Sequence, residues 1–249
     1  MSFSADWLSL RTDADERARS PALASRLADH FAGRDGLRIL DLGAGHGSNM
    51  RLTGRHLPAR QHWTLLDADA DLLSRVEALE GVVFETRVVD LEGDLTPILT
   101  EDWDLVTASA LFDLCGADWI DRFVAGLSVL RCPLYALLSY DGREEWVPSH
   151  REDAEVLAAF HADQMRDKGL GVSLGPNAHG YLAEGLHQAG YRVFEATSDW
   201  ELDASRDNGL IAALAEATGA VASNPNWAKE RHRASRVMIG HKDLLAIPG

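Results

Sequence analysis

The chain has 249 residues, 46% of them hydrophobic and 25% charged, a balance that fits a globular domain with a sizeable core and excludes wholesale disorder. Its formal net charge is −15 and its pI is near 5.0, so its surface repels phosphate backbones and anionic membranes, and neither nucleic acid nor membrane is an expected partner. Arg231, Arg233 and Arg236 are too short a run to make a basic groove, and read as a solvated face beside a strand.

The predicted elements alternate between strand-like and helix-like, the signature of a parallel sheet with helices on both faces. Residues 1–36 form an N-terminal helical segment. The opening Met1 to Asp6 lacks the basic-then-apolar pattern of a signal peptide. Ser20 and Pro21 give an N-cap followed by proline at the first helical position, and Leu23, Leu27 and Phe31 recur at helical spacing until Gly33. Leu37 to Leu42 is the first strand and runs straight into glycines. A helix is expected from Ser48 to His56. Trp63 to Leu66 is the second strand, ending at Asp67, and Asp69 caps a helix carrying Leu72, Leu73, Val76 and Leu79.

Val82 to Val89 reads as the third strand and Trp103 to Ala108 as the fourth. A helix with Trp119, Ile120, Phe123, Val124, Leu127 and Leu130 on one face leads to the fifth strand, Leu134 to Tyr140. Residues 142–176 then break the rhythm and read as a substrate lid. In it Ser149 and Glu152 form a capping-box pattern ahead of a helix with Val156, Leu157 and Phe160. Asn177 caps a helix ending at Gly190, Tyr191 to Ala196 is the sixth strand, Asp207 to Thr218 is helical, and Ser235 to Gly240 is the seventh strand. Cys115 and Cys132 fall in apolar-periodic stretches and are expected in the core, with no disulfide framework. Trp146 is expected to be exposed, at a lid or an interface. No apolar run reaches bilayer-spanning length. A single cytoplasmic domain over 1–249 is the expectation, with a homodimer left open.

The central motif is Asp41-Leu42-Gly43-Ala44-Gly45-His46-Gly47, leaving a strand and entering a helix. Glycines there let the chain turn sharply and let backbone N–H groups approach a ligand. A dinucleotide fingerprint would be GxGxxG, but Ser48 stands where its third glycine belongs. Asp67, about twenty residues on, ends the second strand where a carboxylate can accept both ribose hydroxyls of an adenosine.

The DxGxGxG stretch resembles the first motif of the class I S-adenosylmethionine (SAM)-dependent methyltransferases. Three further stretches match in order and spacing across residues 37 to 140: Asp67-Ala68, Asp90-Leu91 and Ser109-Ala110. The resemblance implies SAM as cofactor on a Rossmann-like, doubly wound α/β fold. Its seven-stranded sheet is expected to be mostly parallel, with an antiparallel strand at the edge. It further implies that Gly43, Ala44 and Gly45 pass beneath the methionine part and that Asp41 helps hold its ammonium group. Asp67 and Ala68 would take the ribose, Asp90 and Leu91 the adenine, and Ser109 and Ala110 would lie beside the sulfonium. The opening from Trp7 to Ala18 also resembles that of a bacterial subgroup whose acceptor the sequence does not name.

Methyl transfer from a sulfonium needs alignment and water exclusion, with a base only where the acceptor carries a proton to lose. Ligands of open α/β sheets sit beyond the carboxyl ends of the strands, which makes Asp113, Tyr140 and Asp141 candidate catalytic residues. His150 joins them as a base titrating near neutral pH. The ten histidines include no HExxH or carboxylate–histidine cluster at ligand spacing, so no metal is expected. A small-molecule acceptor is the leading reading. A non-catalytic SAM-fold binding protein and a nicotinamide-dependent oxidoreductase are the alternatives, the latter opposed by Ser48 and by the lack of a Tyr-x-x-x-Lys pair.

Overall fold

The computed structural model describes residues 4–58 and 60–249; Met1 to Phe3, half of the stretch compared with a signal peptide, lie outside the described residues. The chain opens with α1 (Ala5–Ala18) and α2 (Pro21–His30). The Ser20 hydroxyl caps α2 by accepting the Leu23 N–H, while Leu23, Leu27 and Phe31 are buried, as the helical spacing predicts. Then follow β1 (Leu37–Leu42), α3 (Ser48–Gly54), β2 (Gln61–Asp67), α4 (Ala70–Leu73), β3 (Val82–Val88), α5 (Thr96–Leu99) and β4 (Leu105–Ser109). After a 3₁₀ turn at Phe112–Leu114 come α6 (Ala117–Leu130), β5 (Leu134–Val147) and α7 (Asp153–Gln164). A second 3₁₀ turn at Gly175–Asn177 leads to α8 (Ala178–Gln188), β6 (Tyr191–Thr197), β7 (Trp200–Asp203), α9 (Ala204–Val221), α10 (Pro225–Arg231) and β8 (Arg236–Pro248).

The sheet order is β3-β2-β1-β4-β5-β8-β6, with β7 also on β8. β1 to β5 pair in parallel, and β8 runs antiparallel to its neighbours β5, β6 and β7. The antiparallel pairing therefore lies at the edge the resemblance implied, with β6 outermost. The sheet has eight strands rather than the expected seven, and the addition is β7. It continues the β6 ladder in unchanged register: Thr197 faces Lys242 and Trp200 faces Ile239. Ser198 and Asp199 interrupt it because the Asp199 carboxylate takes the His241 N–H at 3.1 Å. The alternation of buried Trp200 and Leu202 with exposed Glu201 and Asp203 is the period-2 signal that identifies this strand.

Strands buried on both faces carry side chains to two cores. Leu40, Leu42, Leu66 and Val106 meet α6 and α8, while Ile39, Trp63, Leu65 and Leu105 meet α2 and α3. A third cluster joins Trp146, Trp200, Leu210 and Trp227 around β7, α9 and α10. Trp146 is thus buried against Trp227, with ring centroids 5.3 Å apart, contrary to its expected exposure. Arg231 also departs from the expected solvated face: it is buried, donates to the Pro148 carbonyl and pairs with Asp153 at 3.3 Å. Cys115 and Cys132 are buried and free.

The expected lid, 142–176, is less of an excursion than the sequence suggests. Residues up to Val147 continue β5 against β8, so the chain leaves the sheet only afterwards. The capping box does not form. The Asp153 carboxylate accepts the His150 N–H at 2.7 Å, and Glu152 accepts from the Asn224 amide instead. α4 ends after one turn rather than running to Leu79. Among the described residues, no helix is long and apolar enough to cross a membrane.

Candidate active site

The carboxyl ends of β1, β2 and β4 and the turn after β3 open onto a single cavity of about 320 Å³, within the usual size range of ligand pockets. Its floor is the loop after β1. Gly43, Gly45 and Gly47 have φ of 65°, 53° and 78°, the left-handed region that costs other residues roughly 1–2 kcal/mol. Space is tight for a side chain as well: a Cβ on Gly47 would lie 2.9 Å from Val76, and one on Gly45 would lie 3.0 Å from Leu8 of α1, so those side chains would have to shift.

Nine of the residues assigned from the motifs line this cavity: Gly43, Ala44, Gly45, Asp67, Ala68, Asp90, Leu91, Ser109 and Ala110. Asp67 accepts the Gly45 N–H at 2.8 Å through one oxygen and the Asp69 N–H at 2.9 Å through the other. Each oxygen keeps a free lone pair, the arrangement two vicinal hydroxyls require. Asp90 uses Oδ1 to accept the Glu92 N–H at 2.9 Å. The Leu91 carbonyl accepts from the Trp119 indole at 2.7 Å, so α6 fixes the Asp90–Leu91 turn, a role the periodicity of Trp119 gave no hint of. Ala110 holds φ at 53°, a strained value for a residue with a Cβ, where the chain passes the cavity.

Asp41 is the one residue assigned to the cofactor that does not line the cavity. It is fully buried beneath the loop, and burial pushes its carboxyl up to about 7, against the opposing Asn49 hydrogen bond and the Arg19 charge. Its Oδ1 accepts from Asn49 Nδ2 at 2.7 Å, and its Oδ2 has no partner. Asn49 also donates to Thr107 at 3.0 Å and does line the cavity. Any hold of Asp41 on a ligand therefore passes through Asn49.

The catalytic candidates separate. Asp113 lies in the turn between Leu111 and Leu114, which line the cavity, and is itself buried just behind that wall. Its Oδ1 is unpartnered, and burial raises its carboxyl to about 6 against the Arg11 and Lys168 charges. The other three are committed elsewhere. The Tyr140 hydroxyl donates to Glu144 at 2.9 Å and lies 3.0 Å from His161 Nε2, and burial drives its pKa upward. Asp141 pairs with Arg143 at 2.6 Å. His150 accepts the Glu152 N–H at Nδ1 and lies 3.2 Å from Glu230 at Nε2. None of these three is part of the cavity wall.

Sequence reasoning expected a lid over 142–176 but missed the residues that α1 and the segment after it bring to the cavity. Leu8, Arg11, Asp15 and Arg19 enter from the N-terminal segment, and Lys168, Gly169 and Leu170 from the loop after α7. That loop is pinned to the 3₁₀ turn by Gly116 N–H donating to the Leu170 carbonyl at 2.9 Å and Leu174 N–H donating to the Cys115 carbonyl at 2.9 Å. No sequence spacing links residues 8–19 to residues 43–45; only packing does. Among the described residues no group of three or more His, Cys, Asp or Glu is arranged to hold a metal ion.

The strand order, the glycine turn and the acidic residues ending β2 and following β3 define a Rossmann-like sheet with its ligand cavity at the carboxyl ends. The chain has the fold of the class I SAM-dependent methyltransferases. The cyclopropane synthase MmaA2 from Mycobacterium tuberculosis matches with a TM-score of 0.57 at 15% identity, over 98% of this chain and 94% of that one. A cyclopropane-fatty-acyl-phospholipid synthase-like protein from Lactobacillus casei matches at 0.54 and 16% identity, over 99% and 95%. The mycolic acid cyclopropane synthase CmaA1, solved with SAH and CTAB, matches at 0.53 and 13% identity, over 97% and 94%. No protein-family model matches the sequence, and no curated protein matches it.

Proposed function

We propose that this protein transfers a methyl group from SAM to a small-molecule acceptor. The observation that carries the reading is the convergence on one cavity of a three-glycine left-handed turn, a strand-end carboxylate with lone pairs to spare, and the Asp90–Leu91 turn. When bound, SAM supplies a methyl group already activated on a sulfonium. The protein's own tasks are then to orient and to exclude water. Asp67 receives the ribose hydroxyls, and Asp90 and Leu91 frame the base. α1 and the loop at Lys168–Leu170 roof the cavity. Asp113 is the residue suited to take a proton from the acceptor, reached between Leu111 and Leu114 of the wall, because burial raises its carboxyl to about 6 and one of its oxygens is unpartnered. Tyr140, Asp141 and His150 support the surrounding structure in this reading.

The test is calorimetric titration with SAM, S-adenosylhomocysteine and NAD. Micromolar binding of the first two, none of NAD, and loss in Asp67→Ala are the expected results. Binding of NAD alone, or of nothing, overturns the proposal. Release of S-adenosylhomocysteine in an acceptor screen separates an enzyme from a binding protein. Asp113→Asn is expected to slow that release about 100-fold or more, the usual worth of a general base, without weakening cofactor binding.

A further inference from the structure

β3 ends the sheet, and among the described residues no segment pairs with its outer side. An open edge is a template for another strand, and proteins usually blunt it with proline, lysine or a bulge. Val82 to Val88 carries none of these: the run Val-Val-Phe-Glu-Thr-Arg-Val holds one unbroken register with β2. Val83 and Val88 on it are 64% and 62% exposed.

The hydrogen bonds settle which residues face outward. Val89 N–H donates to the Asp67 carbonyl at the end of β2 at 2.9 Å. Backbone groups of successive strand residues point to opposite sides, so Arg87, Glu85 and Val83 also bond inward. Phe84, Thr86 and Val88 therefore present their N–H and C=O groups to the open side, and a strand added there pairs with these three.

For two copies of β3 meeting antiparallel about a two-fold axis, the side chains then choose the register. With Thr86 opposite itself, Phe84 faces Val88 and Glu85 faces Arg87, each pairing occurring twice. On one face the exposed Val88 covers the ring of Phe84, which packs inward on the sheet's core. On the other face Glu85 and Arg87 of one chain already lie 2.7 Å apart. The reversed pair of the second copy closes a ring of four charges of alternating sign. Moving the axis to residue 85 sets Glu85 against Glu85, and moving it to residue 87 sets Arg87 against Arg87, and like charges directly opposite are destabilising. With the axis at residue 84 or 88 neither charge meets an opposite one.

We propose that this protein forms a two-fold dimer by antiparallel pairing of β3 with β3 of a second copy, with Thr86 on the axis. The sheet then runs on from one copy into the other, and the Asp90–Leu91 turn of each cavity wall follows directly on the interface. The inference stands apart from the cofactor reading, since neither Glu85 nor Arg87 lines the cavity.

Sedimentation velocity on the full chain at about 100 µM tests the association, because an edge contact of this size predicts a dissociation constant in the micromolar range. The wild type is expected to be dimeric. Arg87→Glu should weaken association about tenfold or more by setting carboxylates opposite each other, and the double variant Glu85→Arg, Arg87→Glu should restore it to within about threefold. Thr86→Pro, which removes an outward N–H that β2 does not use, should also give monomers. Oxidative cross-linking reads the register. Thr86→Cys should cross-link with itself across a Cα separation of about 5.5 Å, whereas Glu85→Cys and Arg87→Cys should cross-link only when mixed. The native Cys115 and Cys132 are buried and do not interfere. Circular dichroism and thermal melting establish that each variant is folded. A monomeric wild type, a dimer that Arg87→Glu leaves intact, or self-cross-linking at Glu85 or Arg87 in place of Thr86 overturns the proposal.

Discussion

At the residue scale, two buried acids govern how this protein should respond to pH. Burial lifts Asp41 from 3.8 to about 7 and Asp113 from 3.8 to about 6. Each therefore holds a proton in the folded state over a range where the unfolded chain has released it. Stability from this source is present at low pH and is lost as pH rises from about 4 through the folded pKa, the reverse of ordinary acid unfolding. Asp41→Asn keeps an oxygen to accept from Asn49 and removes this titration while leaving that of Asp113. The difference between the melting temperatures of Asp41→Asn and the wild type should grow in the variant's favour from pH 4 to pH 8. A constant difference across that range would show that Asp41 does not titrate there.

At the element scale, the junction of α2, β5 and β8 depends on one carboxylate. Leu138 bulges out of β5 with φ at 54°, leaving its N–H without a ladder partner. Asp243 of β8, fully buried, accepts that N–H at 2.9 Å through one oxygen and the Ser20 N–H at 3.0 Å through the other. It thereby ties the start of α2 to the bulge, and Arg19 immediately precedes α2. Asp243→Ala strands two buried donors and is expected to cost about 2–4 kcal/mol in chemical denaturation. Asp243→Asn, which keeps one acceptor, should cost less. Equal losses in the two variants would assign the effect to packing rather than to the hydrogen bonds.

At the scale of the whole molecule, the cavity is assembled from segments distant in the chain: α1, the glycine turn, the strand ends and the Lys168–Leu170 loop. A ligand that binds all of them stabilises the folded state by mass action. S-Adenosylhomocysteine at about 100 times its dissociation constant should add about 2.7 kcal/mol. For a chain of this size that is a rise of roughly 5–10 °C in melting temperature. The same excess of NAD should leave the midpoint unchanged, and a rise with NAD instead would point to a nicotinamide ligand.

The local sequence by itself determined the sheet's first five strands, the helix started by Ser20 and Pro21, and the glycine turn with Asp67, Asp90 and Ser109 around it. These are legible because strand alternation, capping and left-handed turns are short-range properties of the chain. Asn224 and Pro225 carry the same start signal as Ser20 and Pro21 and do open α10, so that helix too was within reach of the sequence. The rest was decided by tertiary structure. β5 runs on to Val147 because β8 pairs with it, and β7 exists as the continuation of the β6 edge. Trp146 is buried because Trp227, from a helix far along the chain, packs on it. Asp41 looks like a ligand contact in the motif but is sealed under the loop. Arg19 looks like a surface charge between two helices but faces the cavity. Whether a charged side chain meets solvent, a partner or a ligand depends on what long-range packing places opposite it, and no local spacing encodes that.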